Sequence, residues 1–564
     1  MTRTDKAPLR GRFFLRVAAV LLPLAYLMPE HYPPWLSFHS ELLAGAAVLC
    51  AGAAIWIHSA RRSIELPLSW SVGVFAVACH IATSYLLGHT SYLGDALVVA
   101  MYFAVFGLCI ALGYQADQAG AWTSHWFWCA IVLAGLASGL IGSIQWAFGT
   151  SDISFFVLES GAGSQAVGNL AQANHLGTLC LIATAAALLL YQQKKIGLGT
   201  LVLTGVFLSF GIAASQSRTA LLSASLMAAY LVFARSSGRI QVKSALSISW
   251  LAGIIALAWL VHLVNKATGA SGSSAARVPD STDGRFLILV QSFEAISHAP
   301  LFGFGWNSMA QAQRTAAPLS PGSIQYISSH NIGVDAAVFV GLPLALLACA
   351  AVIWWAISAH RSRVDEPGVL CVAAIIPFAT HAMLEFPHYY LYFLAPIGYC
   401  IGKIERLRRA ATITLSANAF GVFVLALTLT GIAVARDYLL IEEDFRVIRF
   451  NDLRIGRQPE GYETPRLLVL TQMGTMLRAA HVQVRAGMPA EDIAVLKAAN
   501  QRFAYNALAI RLVAALGLAG QHADARRELE LIQSVYGHSA RGRANQALKE
   551  QYWQRHPELW PLLE

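Results

Sequence analysis

Three short polar clusters, each placed where a long apolar segment meets a loop, hold the side chains that could do chemistry. They are residues 215–220 with Arg218, residues 282–285 with Arg285, and residues 328–331 with His330. Guanidinium groups suit a diphosphate because they donate hydrogen bonds in pairs and remain charged. An imidazole ordinarily titrates near neutral pH and can accept a proton. Together the clusters predict a site that grips a diphosphate and takes a proton from an acceptor.

Each of these residues also has an ordinary alternative role. Arg218 could reach to lipid headgroups at the end of a membrane helix. Arg285 could be a surface charge beside Asp283. His330 could face the membrane interface, next to a helix that Ser328 or Ser329 caps. The hydroxyl and amide groups of residues 215–219 favour the ligand-binding role for Arg218.

Amides, imidazoles and phenols recur at other apolar boundaries, in residues 168–175 and in the turn 381–390. Such groups hydrogen-bond sugars well, although helix capping or an aromatic belt would also place them there. We expect substrate contacts from Gln172, Asn174, His175, Asn331, His381, Glu385 and Tyr390. The two histidines and the glutamate of the turn could also hold a metal ion, but no H-E-x-x-H spacing occurs, so we predict no metal site and no cofactor.

The elements that must position these residues are membrane helices. Of the 564 residues, 56% are hydrophobic and only 13% charged. The apolar residues form repeated runs of roughly 17–25, long enough to cross a membrane. The net charge of +9 arises from Lys and Arg in short connections, which is typical of membrane topology and gives no sign of nucleic-acid binding. The 8 cysteines lie in apolar runs without paired spacing, as small core residues do.

We predict an all-α fold, a polytopic membrane helix bundle of about thirteen spans. The spans are expected near 13–29, 40–58, 66–87, 93–114, 126–147, 171–191, 197–214, 218–234, 245–265, 331–358, 367–384, 388–402 and 412–435. Basic residues mark one side of this bundle, and the amino terminus shares that side. By the positive-inside rule the amino terminus is cytoplasmic and the polar clusters face outward.

Two domains are expected. Residues 1–435 form the transmembrane domain, in which 266–330 is a large outward loop with a helix from Phe286 to Ile296 that Pro300 ends. Residues 436–564 change to mixed charges and helical periodicity, which indicates a repeat-like helical domain on the outward side. The loop and this domain would then both lie on the side of the membrane opposite the cytoplasm.

The outer-loop residues carry a resemblance. Asp283-Gly284-Arg285 through Gly305-Trp306, followed by Ser329-His330-Asn331 and Val340-Gly341-Leu342, is similar to the O-antigen ligase and polymerase superfamily of bacterial membrane glycosyltransferases. Residues 168–175 and 381–392 further resemble the PglL-type protein O-oligosaccharyltransferases, which also tend to carry an outward carboxy-terminal domain. One departure is His388, where that family often has an apolar residue.

The resemblance implies a metal-independent, inverting transfer of an oligosaccharide en bloc from undecaprenyl diphosphate to Ser or Thr of an exported protein, such as a pilin. By position, His330 matches the family's essential histidine, Arg218 and Arg285 match its diphosphate-binding arginines, and Gln172 and Tyr390 match polar residues tied to activity. Two alternatives stay open: a ligase or polymerase with a glycolipid or glycan acceptor, and a transporter. A transporter favours polar breaks at the bilayer midplane, whereas these clusters lie at the outer face.

Overall fold

The computed structural model of the protein describes residues 9–59, 63–116, 121–269, 282–362, 364–453 and 462–553, and these residues are almost entirely helical. The helices are α1 Leu9–Leu27, α2 Phe38–His58, α3 Leu68–Leu86, α4 Leu93–Gln115, α5 Ala121–Phe148, α6 Ala173–Gln192, α7 Leu198–Ala214, α8 Arg218–Ser236, α9 Ser244–Thr268, α10 Thr282–His298, α11 Met309–Ala316, α12 Ile332–Val340, α13 Leu342–Arg361, α14 Glu366–Ala382, α15 Leu391–Leu407, α16 Ala417–Asp452, α17 Thr471–His481, α18 Ala490–Phe503, α19 Asn506–Leu518, α20 His522–Tyr536 and α21 His538–Leu548. Two short strands, β1 Ser63–Pro67 and β2 Thr412–Ser416, pair antiparallel.

The chain is a multi-pass membrane protein. Within the described ranges, 9 helices are long and apolar enough to cross a membrane, and α7 and α14 are shorter apolar helices. The helical polytopic architecture predicted from the sequence is confirmed. The strand pair was not predicted, because residues 66–67 and 412–416 adjoin apolar runs and were assigned to the spans 66–87 and 412–435.

The chain divides into two compact units, and each is described by itself. The first comprises Met1–Val77, Met101–Val278 and Val352–Gly431. At its centre lies α6, in which 89% of the residues of the apolar stretch are buried. This helix packs against α5, α7, α8 and α14. Small residues permit this approach: a Cβ on Gly177 would overlap the Cβ of Ala220 on α8. The first unit therefore surrounds α6, which begins just after Gln172, with helices that carry Arg218 and His381.

The second unit comprises Ala78–Ala100, Pro279–Ala351 and Ile432–Glu564. In it, α17–α21 pack as successive helix pairs around a core that includes Leu496, Leu512 and Leu529. The helix predicted from Phe286 to Ile296 is present as Thr282–His298, and it contacts α11 and α12.

One predicted span is broken. The run 331–358 forms two helices, α12 and α13, which separate at Gly341 with φ +82°. The segment after Pro300 causes the break: Leu342 N–H donates to the Pro300 carbonyl at 2.8 Å, and Phe304 N–H donates to Val338 at 2.8 Å. A Cβ on Gly341 would overlap the Leu301 carbonyl. The prediction of one continuous helix was wrong, because the apolar content of residues 331–358 does not reveal their contacts with residues 300–304.

Candidate active site

Arg218 occupies the first position of α8. The preceding Gln216 has φ +49°, and Ser217 then caps the helix by accepting from Ala220 N–H at 2.9 Å. The Ser217 hydroxyl also donates to Asn174 Oδ1 at 2.6 Å, which joins the starts of α8 and α6. The Arg218 side chain is exposed. A guanidinium beside the amide groups of a helix N-terminus attracts anionic oxygens.

The start of α6 places the predicted amides and imidazole near one another. Gln172 stands at the position before the helix, and both Gln172 and Asn174 are half-buried. One residue further, His175 is buried, with its ring centroid 4.7 Å from Tyr390 and 5.4 Å from His381. The amides are therefore partly accessible to a ligand. His175 instead packs against the rings of Tyr390 and His381.

His381 and Glu385 begin the turn between α14 and α15. His381 Nδ1 bonds Thr178 Oγ1 at 2.9 Å, and its Nε2 is buried with no hydrogen-bond partner among the described residues. Glu385 is also buried, and its N–H donates to the His381 carbonyl at 2.8 Å. Among the described residues, His381, Glu385 and His388 do not bring ligand atoms close enough together to share one metal ion.

Tyr390 closes this turn, stacked against Phe386 at 6.2 Å and half-buried. The next residue, Leu391, donates its N–H to Glu41 Oε2 at 2.6 Å. Glu41 lies in the first turn of α2 and is 6% exposed. Glu41 was not predicted from the sequence, although a carboxylate within an apolar run is itself a signal of function. It fixes the start of α15 and thereby the position of Tyr390.

Gln145 is a second missed residue. It lies on α5 and is fully buried. Its side-chain amide forms hydrogen bonds with the backbone of the segment before α6. Its Oε1 accepts from Gly168 N–H at 2.7 Å, and its Nε2 donates to the Gly168 carbonyl at 2.9 Å. Nearby, Asn169 donates to the Leu27 carbonyl at 2.7 Å. These hydrogen bonds fix the backbone of the segment that precedes Gln172. Asn169 and Gln145 therefore have a structural role in this loop and are not expected to bind a ligand.

In the second unit, His330 is half-buried and has φ +61°, a left-handed conformation that is uncommon for residues other than glycine. Its N–H donates to Ser328 Oγ at 3.0 Å. Asn331 caps α12: its Oδ1 accepts from Gly333 N–H at 3.0 Å and from Val334 N–H at 3.2 Å. The cap is therefore Asn331, and the alternative in which Ser328 or Ser329 caps this helix is wrong.

Arg285 lies in the first turn of α10 and is half-buried. Further along α10, Gln291 donates to the Ser320 carbonyl at 2.6 Å and accepts from Gln313 on α11 at 3.2 Å. The Gln313 side chain in turn accepts from Tyr326 N–H at 3.3 Å. One polar chain thus runs from the helix of Arg285 to the segment just before His330.

Burial also acts on Tyr326. Its removal from water raises the pKa of the phenol to about 12, and the nearby carboxylate of Asp335 adds to the effect. Tyr326 is therefore neutral at physiological pH.

The structure therefore brings Gln172, Asn174, His175, Arg218, His381, Glu385 and Tyr390 to the adjoining ends of α6, α8, α14 and α15 in the first unit. Arg285, His330 and Asn331 lie on α10 and at the start of α12 in the second unit, two helices that contact each other.

Comparison with known proteins gives two family matches. Residues 203–349 match the family described as O-Antigen ligase, and residues 369–551 match the family described as Virulence factor membrane-bound polymerase, C-terminal. The first stretch includes Arg218, Arg285, His330 and Asn331, and the second includes His381, Glu385 and Tyr390.

Two relatives from Acinetobacter baylyi are similar to this chain. A General O-oligosaccharyltransferase is 26% identical over 478 residues, which cover 82% of each protein. A ComP-specific O-oligosaccharyltransferase is 27% identical over 256 residues, or 44% of this chain and 46% of the relative. These similarities confirm the resemblance drawn from the outer-loop residues.

Proposed function

We propose that this chain, a membrane glycosyltransferase that carries an O-antigen ligase domain and is related to O-oligosaccharyltransferases, moves an oligosaccharide en bloc from undecaprenyl diphosphate to Ser or Thr hydroxyls of exported proteins. Protein O-glycosylation in general is supported by both relatives. The lipid carrier, the hydroxyl acceptor and a metal-independent, inverting mechanism are the finer parts of the proposal.

The observation that supports this function best is the content of the O-antigen ligase stretch. Residues 203–349 include both arginines and the histidine that the sequence assigned to chemistry. Arg218 begins a 19-residue helix with its side chain exposed, and His330 stands in a loop held in an unusual backbone conformation. A cation at a helix N-terminus and a fixed imidazole are the groups that a diphosphate leaving group and a hydroxyl nucleophile require.

The proposed reaction is a single displacement. The acceptor oxygen forms a bond to the anomeric carbon while the bond from that carbon to the diphosphate oxygen breaks, so the configuration inverts. His330 takes the hydroxyl proton, which can contribute roughly 10²–10⁴-fold. The diphosphate leaves with the bonding electron pair, and Arg218 and Arg285 stabilise its growing charge. Gln172, Asn174, Asn331 and Tyr390 offer the polar contacts that orient the sugar.

The site is proposed to face the periplasm from a bacterial inner membrane. Basic residues concentrate in the connections on one side of the spans, and the polar clusters lie on the other. The proposed acceptors are exported proteins, which reach this outward face. His381 and Glu385 complete the site as buried supports of the turn that carries Tyr390.

The second candidate is an O-antigen ligase or polymerase with a glycolipid or glycan acceptor. It is favoured by the match of residues 369–551 to a polymerase family. The reaction would be the same, and only the acceptor would differ.

The test uses purified full-length protein, a lipid-linked oligosaccharide and a candidate acceptor protein. We expect His330→Ala to reduce transfer to a trace that only long incubations detect, while donor binding is nearly unchanged, because a base acts in the transition state. His298→Ala is the matched control, since His298 is an exposed histidine that pairs with Glu294 on the same helix. A His330→Ala protein that keeps its turnover would exclude the general-base role.

Gene deletion followed by intact-mass analysis separates the two acceptor classes. Loss of mass from an exported protein supports the proposal. Loss of glycan from lipopolysaccharide, with every exported protein unaltered, would support the ligase instead.

A further inference from the structure

A buried carboxylate lies beneath the His330 loop and has no role in the function proposed above. Asp335 stands in the first turn of α12 and is 2% exposed. Its carboxylate is therefore not accessible to a substrate from the solvent side. An ionised group is costly to bury unless several hydrogen bonds compensate for the lost water, so its partners should explain its presence.

Those partners are the two serines that precede His330. Asp335 Oδ2 accepts from Ser328 Oγ at 2.6 Å. Asp335 Oδ1 accepts from Ser329 N–H and from Ser329 Oγ, each at 2.6 Å. Three donors therefore converge on one carboxylate, and all three come from the segment adjacent to His330.

Ser328 extends this contact to His330 itself. Its hydroxyl donates to Asp335 and at the same time accepts from His330 N–H at 3.0 Å. On the other side of His330, the Asn331 cap fixes the start of α12. The backbone of His330 has φ +61°, which a residue with a side chain adopts only where its surroundings hold it.

We infer that Asp335 is a positioning residue, which through Ser328 and Ser329 sets where the His330 imidazole stands relative to the acceptor hydroxyl. The inference rests on the proposed function. A general base must lie within hydrogen-bond reach of the proton it removes, and a misplacement of about 1 Å can cost on the order of 10²-fold in rate. Asp335 touches neither the substrate nor the reacting atoms in this role.

A double-mutant cycle that combines Asp335→Asn with His330→Ala tests whether Asp335 acts through His330. Asp335→Asn retains the size of the side chain but replaces one acceptor oxygen with a donor. We expect kcat to fall about 10–100-fold, while donor affinity is unchanged. In the His330→Ala background, whose residual transfer is followed by mass spectrometry over long incubations, Asp335→Asn should cause no further loss, because it acts only through His330. An equal additional loss in that background would overturn the inference.

Asp437→Asn provides the matched control. Asp437 is fully buried in the same unit and also accepts hydrogen bonds from the N–H groups of residues 468–470, together with one from Arg436 at 2.8 Å. Its replacement should lower stability without the non-additivity toward His330. If Asp335→Asn fails to fold, Ser328→Ala removes the hydroxyl that joins Asp335 to His330 N–H, leaves the Ser329 contacts in place and should also lower kcat. A Ser328→Ala protein with normal kcat would overturn the inference.

The cycle separates this inference from the proposed function. If His330→Ala retains full turnover, the proposed function itself fails. If His330→Ala is inactive while Asp335→Asn and Ser328→Ala are fully active, the base role stands and Asp335 is only structural.

Discussion

At the scale of single residues, the two arginines differ from other basic residues of the chain in what they are expected to hold. Arg218 is exposed at the start of α8 and Arg285 is half-buried in the first turn of α10. A guanidinium binds two phosphate oxygens at once with a planar fork, whereas the ammonium of lysine is a point charge. Geometry, and not charge alone, is therefore expected to matter at both positions.

Arg218→Lys and Arg285→Lys should each lower kcat/KM for the lipid-linked donor by about tenfold or more, since the fork is lost while the charge remains. Steady-state kinetics at fixed acceptor would measure this. Arg446→Lys is the control, because Arg446 is exposed and pairs with Glu443 within its own helix. Unchanged kinetics in both site variants would exclude bidentate binding.

Removal of divalent metal should leave the reaction unaffected. Two guanidinium groups can neutralise the leaving diphosphate, so the proposed mechanism routes no step through a cation. Purified protein assayed with and without EDTA should give the same initial rates. Inhibition that a divalent cation reverses would contradict the metal-independent mechanism.

The residue types at the site could be recognised from the sequence, but their supports could not. Arg218, Arg285 and His330 stand at boundaries between apolar runs and loops, where a polar residue is conspicuous. Asp335 and Gln145 lie within the helices, and only the fold reveals that they bind the backbone or side chains of neighbouring loops. Asn331, expected to contact substrate, uses its Oδ1 to cap α12, which spacing alone did not distinguish.

At the scale of helices, the apolar runs located the elements well, and their ends depended on local contacts. The helix α16 continues from Ala417 to Asp452, past the predicted end at residue 435. Its charged extension holds Arg446 paired with Glu443 one turn away, and Asp437 anchors residues 468–470 to it. The break at Gly341 likewise depends on Pro300 and Leu301, residues remote in sequence.

The helices α18 and α20 form hydrogen bonds with α11 and with the segment that leads to His330. Arg314 on α11 donates to both oxygens of Glu528, at 2.7 and 3.0 Å, and each side chain is 14% exposed. Gln325 donates to the Phe503 carbonyl at 2.7 Å, and the Gly322 N–H donates to Ser534 at 2.6 Å. The carboxy-terminal helices therefore restrain the loop from 319 to 331.

Glu528→Gln should loosen this restraint. It leaves Arg314 without its carboxylate in a largely buried position, which costs roughly 1–3 kcal/mol. We expect a lower unfolding temperature of the detergent-solubilised protein, together with reduced kcat. The control is Glu443→Gln, which removes the carboxylate from an exposed Arg–Glu pair and should change neither quantity. Equal effects of the two variants would exclude a special role for the Arg314–Glu528 pair.

At the scale of the whole molecule, the proposed mechanism depends on which side of the membrane the soluble helices occupy. Thirteen spans with a cytoplasmic amino terminus require residues after 435 to be periplasmic. A reporter that is active only in the periplasm should be active when fused after Glu564 and inactive when fused near Arg409. A cytoplasmic reporter should give the reverse pattern. The same outcome at both points would show that the span at 412–435 was miscounted.

The carboxy-terminal helices are expected to bind the acceptor protein as well as to support the His330 loop. A glycolipid acceptor is already concentrated in the membrane, whereas a soluble or pilin-like protein gains from a docking surface that raises its effective concentration near the site. The helices α20 and α21 present Arg527 and Arg543 to solvent. Exposed basic residues of this kind can attract a protein acceptor without any part in catalysis.

Charge reversal by Arg527→Glu with Arg543→Glu should therefore raise the apparent KM for the protein acceptor several-fold. Donor affinity and kcat should be unchanged, because neither residue belongs to the proposed site. Lys195→Glu is the control, since it reverses an exposed charge in a connection of the first unit. Acceptor titrations of the three proteins would decide. An unchanged acceptor KM in the double variant would show that this surface does not dock the acceptor. Because the donor-binding measurement is made on the same preparations, a loss of donor affinity would instead mark the double variant as misfolded, and the single substitutions would then carry the comparison.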